Sequence, residues 1–332
     1  VDNQLNELII DARGVRQVFK VSKREKTGLF SSLKSLFAPE FIHVEALTGI
    51  DFPVAKGEIR GLIGPNGAGK STMIKILSGV LYPTAGEVRV MGYTPWLERE
   101  DYLRNIGVVF GQKTQLWWDL PPIDTFSLNQ KMYRIPKTLF RENLEYFKDL
   151  LNISEVITRP TRQLSLGERM KCDLVCAMLH EPKVVFLDEP TIGLDLLSKE
   201  TIREFIKQTN RQKQICFILT THDMADIEDL CEKITVINKG AIVYNGMLQD
   251  MKTIISGKKI VEIKFSKPVS KAMLSGFQVA DFNPMSVVIE ILPEQTAIQT
   301  ELAKIMASLP VQDININDIG IEEVIKQLYR GY

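Results

Sequence analysis

Nine residues, "GPNGAGKST", constrain this chain more than any other stretch of it. Gly64, Pro65, Asn66, Gly67, Ala68, Gly69, Lys70, Ser71 and Thr72 follow an apolar run and precede a helical pattern. The spacing of Gly64, Gly69, Lys70 and Ser71 fits the phosphate-loop pattern G-x-x-x-x-G-K-[ST]. Each residue type has a physical reason. Glycines permit backbone dihedrals that aim successive N–H groups inward, the lysine bridges terminal phosphates, and the serine hydroxyl ligates Mg²⁺. Met73, Ile74 and Leu77 share one face of a helix predicted over Ser71–Leu77, whose positive dipole end lies under the phosphates and which stops at Gly79. The plainer alternative is an ordinary glycine turn, and the strand–loop–helix context weighs against it.

A second element sits in "PKVVFLDEPT". Four apolar residues, Val184 to Leu187, read as a buried parallel strand that ends in two acids. Asp188 is placed to hold Mg²⁺, directly or through water, and Glu189 to polarise the water that attacks a γ-phosphate. Capping of the next helix is the alternative role for these acids.

"QLSLGERMKCDLV", Gln163 to Val175, resembles the LSGGQ signature of ATP-binding cassette proteins and lies just upstream of the acidic strand, as in that family. Gln112 in "VVFGQKTQ" resembles the family's Q-loop, "IGLD" ending at Asp195 its D-loop, and His222 in "LTTHDM" its switch histidine. Six motifs stand in the family's order, and the resemblance covers roughly residues 10–245. It implies an α/β phosphate-loop NTPase cassette, with a RecA-like core, a β subdomain and a helical signature subdomain. ATP and Mg²⁺ are the implied cofactors. Glu189, His222, Gln112 and Lys70 are then catalytic, and Ser71, Gln112 and Asp188 metal-binding. The phosphate loop from Gly64 to Thr72, together with Ser165, Gly167, Glu168 and Asp195, contacts nucleotide or lines the seam beside it.

Ser165 and Gly167 at a helix start offer a hydroxyl, backbone N–H groups and a positive dipole end, which is a second phosphate site. One chain already has its cradle. The family's answer is a head-to-tail dimer, a homodimer or pseudo-dimer of cassettes, in which Ser165 of one subunit closes over the ATP held by Lys70 of the other, with Asp195 organising the seam. Two positions depart from the family's pattern: Leu166 replaces its usual Gly and Glu168 its usual Gln. The Ser165 and Gly167 contacts do not require a Gly at 166, so hydrolysis is expected to survive. Glu168 adds a negative charge near the nucleotide. The family also stacks adenine on an upstream aromatic residue. "GVRQVF" nominates Phe19 by its likeness to the stretch that carries the aromatic, whereas spacing to "AL" and Gly64 favours Phe41.

Between these two phenylalanines lies an insertion, about residues 20–40. Lys20, Lys23, Arg24 and Lys26 are followed by Leu29, Phe30, Leu33, Leu36 and Phe37, which at helical spacing fall on an arc of roughly 120°. The segment 28–38 either packs on its own domain or meets a membrane surface or membrane partner. A mostly helical subdomain, about residues 113–175, opens with Trp117 and Trp118. In the family this region receives a transmembrane partner, and adjacent tryptophans suit an interface anchor. Burial inside the subdomain is the alternative.

The cassette is expected to span residues 1–247. From 248 to 332, "KKIVEIKFS", "FQVADF" and "SVVIEIL" read as strands, followed by helical "TAIQTELAKIMASL" and "IEEVIKQLY", giving a small C-terminal α+β accessory domain. Lys and Arg number 41 against 41 Asp and Glu, so no long-range field draws nucleic acid, and no nucleic-acid partner is expected. No window approaches the ~18 apolar residues of a membrane span, and the first ten residues lack a signal-peptide pattern. The four cysteines form no paired CxxC and read as buried thiols. His43 and His180 receive no role, and Trp96 a core one.

The expected protein is therefore an ATP-hydrolysing subunit at the cytoplasmic face of a bacterial inner membrane. It works on separate integral membrane permease subunits, and its "EPTIGLDLLSKE" and C-terminal appendage resemble the drug- or viologen-type exporters. A polysaccharide-exporting ATPase would carry a β-sandwich tail, against which the two late helices argue. A translation or DNA-repair ATPase would carry a second cassette, coiled coils or a basic surface, none of which is present.

Overall fold

The computed structural model describes residues 8–22, 41–111, 113–255, 259–291, 298–318, 324–325 and 328–329. Gln112 and the segment 28–38 lie outside the described residues. The chain divides into two compact units, Val1–Asn245 and Gly246–Tyr332.

The first unit opens with a long antiparallel pair, β1 (Leu8–Ser22) and β2 (Phe41–Ala55), paired from Leu8 opposite Ala55 to Ser22 opposite Phe41 with register shifts between Leu8 and Val18. Residues 20–22 of the expected insertion are thus strand. β3 (Ile59–Ile63) leads through the glycine loop into α1 (Lys70–Leu77), and β4 (Ala85–Val90) then pairs with β1 to complete a three-stranded sheet in the order β2-β1-β4. Next come α2 (Arg99–Leu103), β5 (Ile106–Phe110), α3 (Pro122–Met132), α4 (Lys137–Leu151) and α5 (Leu166–Met178). The rest is β6 (Val184–Asp188), α6 (Leu196–Lys213), β7 (Cys216–Thr220), α7 (Met224–Leu230), β8 (Lys233–Asn238) and β9 (Ala241–Met247).

The second sheet of this unit has six strands in the order β5-β6-β7-β3-β8-β9, parallel from β5 through β8. Its central strands carry apolar residues on both faces, VVFL in β6 and CFIL in β7, because a parallel sheet is covered on both sides. Phe186, Phe217 and Ile218 are fully buried, each contributing about 1.5–3 kcal/mol relative to exposure. The strand order sets the site. It brings the C-terminal ends of β3, β7 and β6 side by side, where the ligand crevice of an open α/β sheet forms.

Pro122 begins α3, where its missing N–H is one the helix could not have paired anyway. In α4, Leu144, Phe147 and Leu151 form one buried face at helical spacing. All four cysteines are free and buried, and burial raises their thiol pKa values, to about 12 for Cys172. Among the described residues no helix is long and apolar enough to cross a membrane.

The second unit comprises α8 (Leu248–Ile255), β10 (Lys259–Phe265), β11 (Val279–Asn283), β12 (Ser286–Ile291), α9 (Ile298–Ser308) and β13 (Val311–Asp318). The antiparallel sheet runs β11-β12-β10-β13, and Ile305 and Leu309 join its core of Val261, Ile263, Phe265, Val287, Ile289 and Ile291. The three expected strands and the first expected helix are present. β13 is an addition. Its sequence "VQDININD" is rich in Asp and Asn, poor strand formers, and its pairing comes from β10, with Ile314 opposite Ile263 and Ile316 opposite Val261. Most of "IEEVIKQLY" lies outside the described residues.

Candidate functional site

The glycine loop is wedged between two strands. A Cβ on Gly64 would stand 2.3 Å from the Ile237 carbonyl oxygen of β8, and one on Gly69, at φ 113°, would stand 2.6 Å from the Ala46 carbonyl oxygen of β2. Close backbone approach therefore requires glycine at both positions. Behind them, Lys70 is buried and its Nζ donates to the carbonyls of Gly64 (2.7 Å) and Pro65 (3.2 Å). Burial lowers its pKa, while Glu189 and Asp188 act in the opposite direction.

Opposite the loop, the ends of β6 and β7 hold a compact oxygen network. Asp188 Oδ1 accepts hydrogen bonds from the hydroxyls of Ser71 (3.1 Å) and Thr220 (2.6 Å). Glu189 follows at φ 54°, a left-handed conformation uncommon for a residue with a side chain. Its N–H is held by both the carbonyl and the hydroxyl oxygen of Thr220, each at 3.0 Å. His222 Nδ1 lies 3.5 Å from Glu189 Oε1. Phosphate loop, both acids and histidine line one cleft of about 830 Å³.

The site brings together Gly64, Pro65, Asn66, Gly67, Ser71, Asp188, Glu189 and His222 as cleft lining. Ala68, Gly69, Lys70 and Thr72 belong to the same loop and helix start. Ser165, Gly167, Glu168 and Asp195 do not line it. Ser165 is the N-cap of α5 in a reciprocal capping box: its hydroxyl accepts the Glu168 N–H (3.2 Å), and the Glu168 carboxylate accepts the Ser165 N–H (2.8 Å). Arg159 pairs with the same carboxylate at 2.5 Å. Partial burial raises the Glu168 pKa, and the bonds from Ser165 and Arg159 outweigh it, leaving the group below its ordinary value. The charge that Glu168 adds to the signature is thus paired within its own chain. A Cβ on Gly167 would stand 2.4 Å from Ser198 Oγ, and Asp195, the N-cap of α6, accepts bonds from the backbone and hydroxyl of Ser198 (2.9 and 2.6 Å). Signature and D-loop therefore form one surface.

Phe19 and Phe41 both lie on the β1–β2 pair. Phe19 is half-buried opposite Val44, and Phe41 is exposed opposite Ser22. Trp117 and Trp118 are exposed, at 58% and 53%, as an interface anchor requires and a buried pair would not be. Sequence reasoning missed Thr220 and Asp173. Neither carries a local signal, since their hydrogen-bond partners lie far away in the chain.

Ser71 and Asp188 offer hard oxygen donors that fit Mg²⁺, a cation commonly held by one or two protein groups and completed by phosphate and water. Among the described residues no cluster of three or more His, Cys, Asp or Glu could cage a metal without such help.

The ABC transporter family model matches residues 47–192. The chain is 30% identical over 209 residues to the ABC transporter ATP-binding protein NatA of Bacillus subtilis, covering 63% of this chain and 84% of that one. It is 28% identical over 279 residues to the linearmycin resistance ATP-binding protein LnrL of the same organism, covering 83% and 89%. A dimeric, post-hydrolysis ATP-binding cassette bound to ADP and phosphate superposes with a TM-score of 0.60 at 22% identity, over 72% of this chain and 98% of that chain. The chain belongs to the ABC transporter family. It is an ATP-binding, ATP-hydrolysing cassette.

Proposed function

We propose that this cassette is the ATPase subunit of an exporter, acting as a head-to-tail pair on separate integral membrane permease subunits. One observation carries the pairing: the phosphate loop with Ser71, Asp188, Glu189 and His222 lines one cleft, while Ser165 at the start of α5 does not line it. A second chain, turned head to tail, brings Ser165 and Gly167 to the nucleotide of the first. The linearmycin resistance relative supports export, and the exposed Trp117–Trp118 pair supports a permease-docking surface.

In each cleft, the N–H groups of the phosphate loop and Lys70 bind and orient the β- and γ-phosphates. Ser71 and Asp188, joined by Gln112 as the Q-loop resemblance implies, would hold Mg²⁺, which would supply neutralisation of phosphate charge. Glu189 accepts a proton from the attacking water, and the products are ADP and inorganic phosphate. His222, exposed on one side and 3.5 Å from Glu189, orients that carboxylate toward the γ-phosphate. Closure of the pair on two nucleotides drives the permease, and hydrolysis resets it.

Adenine stacks on Phe19. Gly69 abuts Ala46, and Phe19 lies opposite Val44, two residues from it, whereas Phe41 is five residues away, about 16 Å along a strand. The chain then sits peripherally on the cytoplasmic face of the bacterial inner membrane, and residues 248–332 form an accessory domain.

Purification of the Glu189→Gln variant from native membranes with Mg·ATP, followed by mass spectrometry, tests the proposal. Copurification of a polytopic membrane protein is expected. Recovery of ribosomes or repair factors without any membrane protein would overturn the transport reading and leave the ATPase intact.

A further inference from the structure

The stretch after Gln112 is fastened to helix α5 at two levels. Asp173, in the middle of α5 and 3% exposed, accepts the Gln115 N–H at 2.8 Å and the Thr114 hydroxyl at 3.1 Å. That hydroxyl in turn accepts the Leu116 N–H at 3.1 Å. One turn earlier on α5, the Arg169 guanidinium lies 5.6 Å from the centre of the Trp118 ring, and just before the helix the Arg162 N–H donates to the Trp118 carbonyl at 3.0 Å. At the other end of the stretch, the Gly111 N–H donates to the Asp188 carbonyl at 2.7 Å. Eight residues thus run from the acidic end of the cleft to the exposed tryptophans, with one carboxylate fixing their middle.

A carboxylate is a costly choice at that position. Its helix neighbours Cys172, Leu174, Val175 and Cys176 are all buried, and a leucine would pack among them without desolvating a charge. Burial pushes the Asp173 carboxyl up to about 6, against the pull of its bonds to Gln115 and Thr114 and the charge of Arg169. What the acid adds over an apolar side chain is the tether to residues 114–116. The tether joins the segment that follows Gly111, itself bonded to the Asp188 carbonyl, to the helix whose N-cap is Ser165.

We propose that Asp173 is a positioning residue for hydrolysis: it locks residues 114–116 to α5, so that this segment, the tryptophan pair and Ser165 move as one body when the cassette pair closes. The inference rests on reading the site as a head-to-tail ATPase, and it concerns a residue that touches neither nucleotide nor metal.

The test uses the full chain with Asp173→Asn, Asp173→Leu and Thr114→Val, measured by amide hydrogen exchange and by ATP titration of hydrolysis. In Asp173→Leu, exchange over residues 113–120 should rise about tenfold while residues 184–190 keep their protection, as expected for loss of charge-assisted bonds. The same variant should lose about tenfold in kcat with KM within about twofold. Asp173→Asn keeps an oxygen that accepts both donors and should stay near wild type in both readouts, and Thr114→Val should fall between. A folded Asp173→Leu chain with wild-type protection over 113–120, or a loosened segment with unchanged kcat, would overturn the proposal. If that variant fails to fold, Thr114→Val decides: no change in either exchange or kcat overturns the proposal, and a parallel change in both supports it. A wild-type chain that hydrolysed no ATP would sink the reading of the site, with the exchange comparison still deciding the tether.

Discussion

Thr220 and Asp188 sit opposite each other at the ends of β7 and β6, joined hydroxyl to carboxylate at 2.6 Å. The same hydroxyl accepts the Glu189 N–H, so one buried side chain fixes the Asp188 carboxylate and the Glu189 backbone. Thr220→Val keeps the shape and removes the hydroxyl. It should lower kcat about tenfold and raise the Mg²⁺ concentration needed for half-maximal hydrolysis, while Thr220→Ser restores both. A magnesium titration of the purified variants, paired with their melting temperatures, decides whether the loss is one of placement or of folding.

Phe19→Ala should weaken ATP binding by roughly tenfold, the size of one lost aromatic stack, and Phe41→Ala should leave it within about twofold. Titration of a fluorescent ATP analogue against both variants gives the comparison. The reverse ranking would return the stacking role to Phe41, the residue that spacing to Gly64 favours.

Glu168→Ala removes the returning half of the capping box and the partner of Arg159, and should destabilise the chain by about 1 kcal/mol at neutral pH. The pH dependence has a definite sign. Glu168 has its pKa lowered in the folded chain, so its contribution is present above the ordinary carboxylate range and is lost as pH falls through the folded value. Denaturant melts of wild type and variant should therefore converge in acid, as pH falls below the ordinary carboxylate range and through the lowered folded value. A constant gap across that range would show that the effect is packing and not the ionised carboxylate.

None of the four cysteines should react with a thiol reagent in the folded chain at pH 8, and all four should react after denaturation. Burial both hides the sulfurs and raises their thiol pKa values, so accessible thiolate is scarce. Counting labelled sites by mass spectrometry before and after denaturation is sufficient. Prompt labelling of Cys172 or Cys176 would mean that α5 opens readily.

What could be read from the residues divides along a physical line. Lys70, Ser71, Asp188 and Glu189 were legible because phosphate chemistry fixes their types and spacing, and the strand–loop–helix pattern around them follows from burial on both faces of a parallel sheet. Ser165 was legible as a helix start through its Ser-x-Gly in the signature-like stretch, whereas its capping box with Glu168 is a finding of the structure. Asp173 and Thr220 were not, because their partners are 58 and 32 residues away in the chain and no local pattern marks them. β13 escaped for the same reason: its strand character is lent by β10. Spacing to Gly64 and the antiparallel register rank Phe41 and Phe19 differently, because one counts residues along the chain and the other follows the pairing across it.

Glu189 holds its backbone at φ 54°. A glycine or an asparagine would occupy that conformation more readily than glutamate does, at a gain on the order of 1 kcal/mol in folding. Selection for thermal robustness alone would thus erode this position, and any variant library screened only for heat resistance will be enriched in inactive chains at residue 189. The fold and the reaction make opposing demands on one amino acid.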